Sequence, residues 1–173
     1  MDTPDHTAVQ LYQAGMAFEE AGDFENAASH YLAALEKTEG GEAFRHDLVI
    51  RSIFALKMAK RHEEGIHVAD MEMDNWTESP DYYFALGDIL LDLATRSPEM
   101  AMDELIPMIE ASWLRCLEIG ERPELPGAVA GRGSYLAAHN LAVMYENLGD
   151  AERAAQFRAL ADGRGLSPQG TVP

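Results

Sequence analysis

The chain has 173 residues, enough for one domain or one short repeat array, with 47 % apolar residues to bury and a net charge of −17. That charge argues against a duplex-binding role, which needs Lys and Arg to displace counterions from phosphates, and against docking on an anionic membrane surface. The single cysteine, Cys116, leaves no intrachain disulfide and no thiolate zinc site, and no apolar run approaches the length of a membrane span.

The start, Met1-Asp2-Thr3-Pro4-Asp5, carries neither a basic stretch nor an apolar core of the leader type, so a cytoplasmic location is expected. Apart from the aromatics, the apolar content is mostly Ala, Leu and Met, which favour helix, and β-branched runs are missing. The expected fold class is therefore all-α.

In chain order, a first hairpin is expected over 8–41. Leu11-x2-Ala14-Gly15-x2-Phe18 gives its first helix and Gly22-Asp23-Phe24 the turn, with Asp23 as cap. Ala27-x3-Tyr31-x2-Ala34-Leu35 gives the second helix, which Gly40-Gly41 should stop. A second hairpin, over 46–78, is degenerate: Val49-x2-Ser52-Ile53-x2-Leu56 and Gly65-x3-Ala69 keep only the spacing. The third, over 80–120, opens with Tyr83-x2-Leu86-Gly87-x2-Leu90; Ser97-Pro98 should then cap a long helix to about Ile119, kinked at Pro107. The fourth, over 135–162, has Ala138-x2-Leu141-Ala142-x2-Tyr145, the turn Gly149-Asp150, and Ala154-x3-Arg158.

Corresponding positions keep a register. Gly15 and Ile53 are 38 residues apart and Ile53 and Gly87 are 34 apart, whereas Gly87 and Ala142 are 55 apart. The excess lengthens the third hairpin and creates a Gly/Pro loop over 121–133, after which Ser134 should cap the next helix. Residues 1–162 then form one domain, and the tail 163–173, rich in Gly, Pro and Ser, is expected to lack order.

Small residues where helices approach and large ones beside them make residues 8–162 resemble tetratricopeptide repeat proteins. The implied fold is a right-handed solenoid of about four hairpins. A narrower resemblance covers 82–157, which looks like the repeat region of bacterial family-2 glycosyltransferases. It rests on Tyr83-Phe84-Ala85-Leu86-Gly87-Asp88, Trp113-Leu114-Arg115-Cys116-Leu117-Glu118-Ile119-Gly120 and Gly131-Arg132-Gly133-Ser134-Tyr135-Leu136-Ala137-Ala138-His139-Asn140-Leu141-Ala142. The catalytic domain of that family has no counterpart here. The resemblance implies association with such an enzyme or its acceptor polypeptide, not transferase activity.

In such an array the first helix of each pair lines a concave groove that takes peptides. Projecting the spacing places Tyr12, Met16, Glu19 and Glu20, then Arg51, Phe54 and Lys57, on that face. It continues with Asp81, Phe84, Asp88 and Asp92, and ends with His139, Asn140, Val143 and Glu146. Acids outnumber bases, so the expected partner is a protein or peptide with Lys or Arg and apolar side chains. The leading expectation is a non-catalytic adaptor or scaffold. A homodimerising assembly module and an acidic secretion-type chaperone are the alternatives.

No set of acid, base and nucleophile stands out, and no cofactor motif is present. Glu63, His67 and Asp70 share a helical face, but His62 and His67 are five apart, not the four that a metalloprotease helix needs, so no metal site is expected. Gly131-x-Gly133 ahead of a helix could offer amides to an anion, although a turn allowing close approach is the simpler reading. Cys116 is expected in the core. Met71, Met73, Met100, Met102 and Met108 are most simply explained by packing within long helices.

Overall fold

The structure, a computed structural model, describes residues 7–163; the tail expected to lack order lies outside that range except for Gly163. Among the described residues the protein is all-α, and no helix is long and apolar enough to cross a membrane. The helices run as α1 (Ala8–Glu20), α2 (Phe24–Glu36), α3 (Arg45–Met58), α4 (His62–Glu72) and α5 (Pro80–Arg96). A single turn, α6 (Pro98–Met100), leads through the π-turn Ala101–Leu105 into α7 (Ile106–Ile119), and α8 (Tyr135–Asn147) and α9 (Ala151–Ala161) complete the chain.

Local chemistry sets most of the starts. Thr7 and Gln10 form a reciprocal capping box at α1. Asp23 accepts from the Asn26 amide at 3.2 Å, as expected. Ser79 accepts from the Tyr82 amide at 3.0 Å, with Pro80 in the first turn of α5. Two expected caps are corrected: Ser97 and Ser134 stand at N-cap positions but make no capping bond. The Ser134 hydroxyl instead donates to Glu121 Oε1 at 2.5 Å, a charge-assisted bond that turns it toward the loop. The stop of α2 is also corrected: the helix ends at Glu36, before Gly40-Gly41, and Thr38 returns its hydroxyl to the Leu35 carbonyl at 2.7 Å.

The long second helix of the third hairpin is not continuous. Pro107 has no N–H to donate, and its ring presses on the carbonyl one turn back. The chain responds by widening over Ala101–Leu105, so the expected kink takes the form of a π-turn.

Each helix packs on the next along the chain, and α3 also packs on α5. Close approach is specific. A Cβ on Gly15 would overlap the Tyr31 ring, and one on Gly87 would overlap the Trp113 indole. Tyr31, Tyr82 and Trp113 are fully buried at these junctions, and α3, with the weakest repeat signature, buries more of its residues than α1 or α2.

Candidate functional site

The first part of the expected face is a closed polar network. The Tyr12 hydroxyl donates to Asp47, whose carboxylate also accepts from Arg51 Nε at 2.7 Å. Arg51 Nη1 reaches Glu19 at 2.8 Å, and the Tyr31 hydroxyl donates to the same carboxylate at 2.5 Å. Burial, reinforced by Asp47, pushes the Tyr12 phenol up to about 12. Met16 packs against the core, while Glu20 is exposed.

In the middle of the face, Lys57 lies 3.4 Å from Asp88 and its ammonium sits 5.4 Å above the Phe54 ring. Phe54 meets Phe24 edge-on at 5.7 Å. Burial raises the Asp88 carboxyl, against the pull of Lys57. Asp92 experiences the same penalty, but hydrogen bonds from His62, at 2.5 Å, and Lys60, at 3.3 Å, outweigh it and hold its carboxyl below the usual range. Glu19, Asp88 and Asp92 thus each have a cationic or histidine partner within the chain.

The loop 121–133 reaches the same face. Asp81 is buried and accepts from the Val129 amide and from Arg132 Nη1, both at 2.9 Å. The Arg132 guanidinium lies 5.4 Å from the Phe84 ring centre. His46, also buried, spans the Pro126 carbonyl and the Ser79 hydroxyl, at 2.6 Å each. A carbonyl only accepts, so Nδ1 donates to Pro126. Asp81 is therefore occupied by the loop, and Phe84 and Asp88 lie beside Arg132.

The last part of the face is open. His139, Asn140 and Val143 on α8 line a cleft of about 470 Å³ opposite Leu91, Ala94 and Thr95 on α5. Trp113 of α7, with Ala101 and Ile106 at the π-turn, completes it. Leu91 and Val143 are each more than a third exposed. The Trp113 Nε1 donor has no partner among the described residues, and it faces Gly87 on α5. Glu146, on the same helix, pairs with Arg158 of α9. The α5 side of this cleft was missed in the sequence, although Leu91 and Thr95 continue the helical spacing from Asp88.

Elsewhere, His62 is buried against Asp92, and among the described residues no group of three or more His, Cys, Asp or Glu is placed to hold a metal ion. Cys116 is in the core, its thiol donating to the Pro80 carbonyl at 3.2 Å and pushed up by burial. The Gly131 amide is taken by Glu121 at 2.9 Å, so the chain's own carboxylate fills the place considered for an anion. The packing explanation for the methionines is corrected: Met71 is 68 % exposed, Met102 62 % and Met108 49 %, and Met73 and Met100 are exposed too. They fall at helix ends and around the π-turn, where the neighbouring helices do not reach. No model of a known protein family matches the chain, and no curated protein matches it.

Proposed function

We propose that the protein is a non-catalytic adaptor of the tetratricopeptide-like class, a right-handed stack of helical hairpins that holds a polypeptide segment. The observation that carries this reading is the open cleft between α5 and α8, which gathers His139, Asn140 and Val143 around an apolar floor. Its volume is in the range of ligand clefts, roughly 300–1,000 Å³. The fit of Gly15 against Tyr31 and of Gly87 against Trp113 supports the repeat reading, because it uses small and large residues where the repeat pattern needs them. Apart from the exposed Glu20, the charged residues on the rest of the face are paired within the chain, so apolar side chains from the partner provide the anchoring. Two of the segments that resemble glycosyltransferase repeats contribute Trp113, His139 and Asn140 to the cleft, and association with such an enzyme or its acceptor is part of the proposal.

The test replaces two cleft residues that the fold does not bury, Leu91→Glu and Val143→Glu, with circular dichroism to check the helices. Affinity capture from the native cell extract is then compared with the unchanged protein. The adaptor reading expects a defined polypeptide that the double variant loses. Capture of the same set by both proteins would remove the cleft from the proposal. Exposed Met102 and Met108 favour a second reading, a homodimer. A single monomeric species in sedimentation at micromolar concentration would eliminate it.

A further inference from the structure

A second groove lies between α2 and α4 and shares no lining residue with the cleft. Its volume is about 570 Å³. The apolar lining comes in two pairs at helical i, i+3 spacing, Leu32 and Leu35 from α2 and Val68 and Met71 from α4. Met71 projects furthest into solvent, and its flexible thioether adapts to irregular partners. Glu36, Glu63, Glu64 and Glu72 also line the groove, against the single cation Arg45. Two of these acids are spoken for, Glu72 by Arg45 and Glu64 by Arg61. Glu36 and Glu63 have no hydrogen-bond or ion-pair partner among the described residues, one on each helix.

We infer that this groove docks an amphipathic helix that carries aliphatic side chains on one face and Lys or Arg on its flanks. Two ridges of side chains on α2 and α4 leave a furrow that a third helix fills, and among the described residues no sheet edge is present to recruit a strand. The unpaired glutamates on both sides select the sign of the flanking charge. A second copy of this chain is the wrong occupant of this groove, because a chain with 13 Lys and Arg against 30 Asp and Glu offers few basic flanks to pair with Glu36 and Glu63. The inference goes beyond the cleft between α5 and α8 and stands or falls separately from it.

The probe is a fluorescein-labelled peptide of about fifteen residues, a length that suits a docking helix, with leucines at i, i+4, i+7 and i+11 and lysines beside them. Its match has glutamate for every lysine. Fluorescence polarisation with the full chain should show saturable binding of the lysine peptide only, weakening as salt rises. Glu36→Lys with Glu63→Lys should lower affinity roughly tenfold or more, and Glu36→Gln with Glu63→Gln, which spares the helices a reversed charge, should lower it less. Glu152→Lys with Glu104→Lys makes the same change in net charge on exposed positions outside the groove and should leave binding nearly intact. The inference is overturned by no binding, by equal binding of the glutamate peptide, or by an equal loss in the Glu152/Glu104 control. If only the Leu91→Glu, Val143→Glu variant loses the peptide, the groove is wrong while the adaptor proposal survives.

Discussion

Three glycines sit against side chains that differ in how far they can yield. Gly15 faces the ring of Tyr31, Gly87 the indole of Trp113, and Gly65 the terminal methyl of Ile89. In an open helix, replacing Gly by Ala gains about 0.5–1 kcal/mol, because the unfolded chain loses freedom. Here the new methyl overlaps a neighbour. Forcing extra carbon into a packed interior costs about 1–3 kcal/mol, so overlap wins wherever the neighbour is rigid. Both neighbours are buried, but Gly87 meets the rigid body of the Trp113 indole, whereas Gly65 meets the terminal Cδ1 of Ile89, which a change of χ2 can move. Gly87→Ala and Gly15→Ala should therefore destabilise by about 1–2 kcal/mol in urea unfolding. Gly65→Ala should cost less, and Gly41→Ala, which faces open space, should be neutral or slightly stabilising. Equal effects at Gly87 and Gly41 would mean that the helices are not pressed together at Trp113.

At the scale of an element, the loop 121–133 is held by partners far away in sequence. Asp81 is 51 residues from Arg132, and His46 is 80 residues from Pro126. Removing Arg132 would leave a buried carboxylate with the Val129 amide as its remaining donor among the described residues. Breaking a buried pair from one side costs several kcal/mol, but the Arg132 side chain is 23 % exposed and water can follow it out. Arg132→Ala should then cost about 2–3 kcal/mol and speed proteolysis within 121–133. Asp81→Asn in the Arg132→Ala background should recover part of that loss, and a double-mutant cycle with no coupling would show that the pair is not formed. These distances also explain what could be read from the sequence. The hairpin order and the tight helix contacts were legible, because Ala14-Gly15, Tyr31 and Leu86-Gly87 advertise small and large positions at fixed local spacing. The acids of the expected face were legible as residues but not as a surface. Their neutralisation depends on pairs such as Glu19–Arg51 and Asp88–Lys57, each more than 30 residues apart, which no local pattern records. Ser134 illustrates the same limit: its position predicts a cap, and a glutamate 13 residues earlier takes the hydroxyl instead. The share of α8 in the cleft follows from projecting the helical spacing, while the share of α5 depends on how the segment around the π-turn before Pro107 sets α5 and α8 apart.

Over the whole molecule, burial is unevenly distributed along the stack. Eight of the 14 residues of α3 are buried, but only Ala154 among the 11 residues of α9. In a linear array each hairpin is supported mainly by its neighbours, so the end unit opens without disturbing the centre. α9 packs mainly on α8, where Arg158 pairs with Glu146, and little of it is buried. Phe157 stacks on Tyr145 with ring centres 5.5 Å apart, and Arg153 reaches Glu110 on α7 at 3.3 Å. An aromatic pair contributes about 0.5–1.5 kcal/mol, and an exposed ion pair about 0–1 kcal/mol. Their sum is small beside the global stability of a domain, about 5–15 kcal/mol. Amide hydrogen exchange should therefore show α9 opening first, α8 next, and α3 only with global unfolding. Uniform protection from α3 to α9 would instead mean a single cooperative unit. The order bears on the proposed partner binding, because α8 forms one wall of the cleft through His139, Asn140 and Val143. A segment seated there, as proposed, would bridge α8 to α5 and link the less buried end to the well-buried centre. Exchange in α8 should slow when the cleft is filled while exchange in α3 stays unchanged, and a peptide bound in the groove between α2 and α4 should leave α8 untouched.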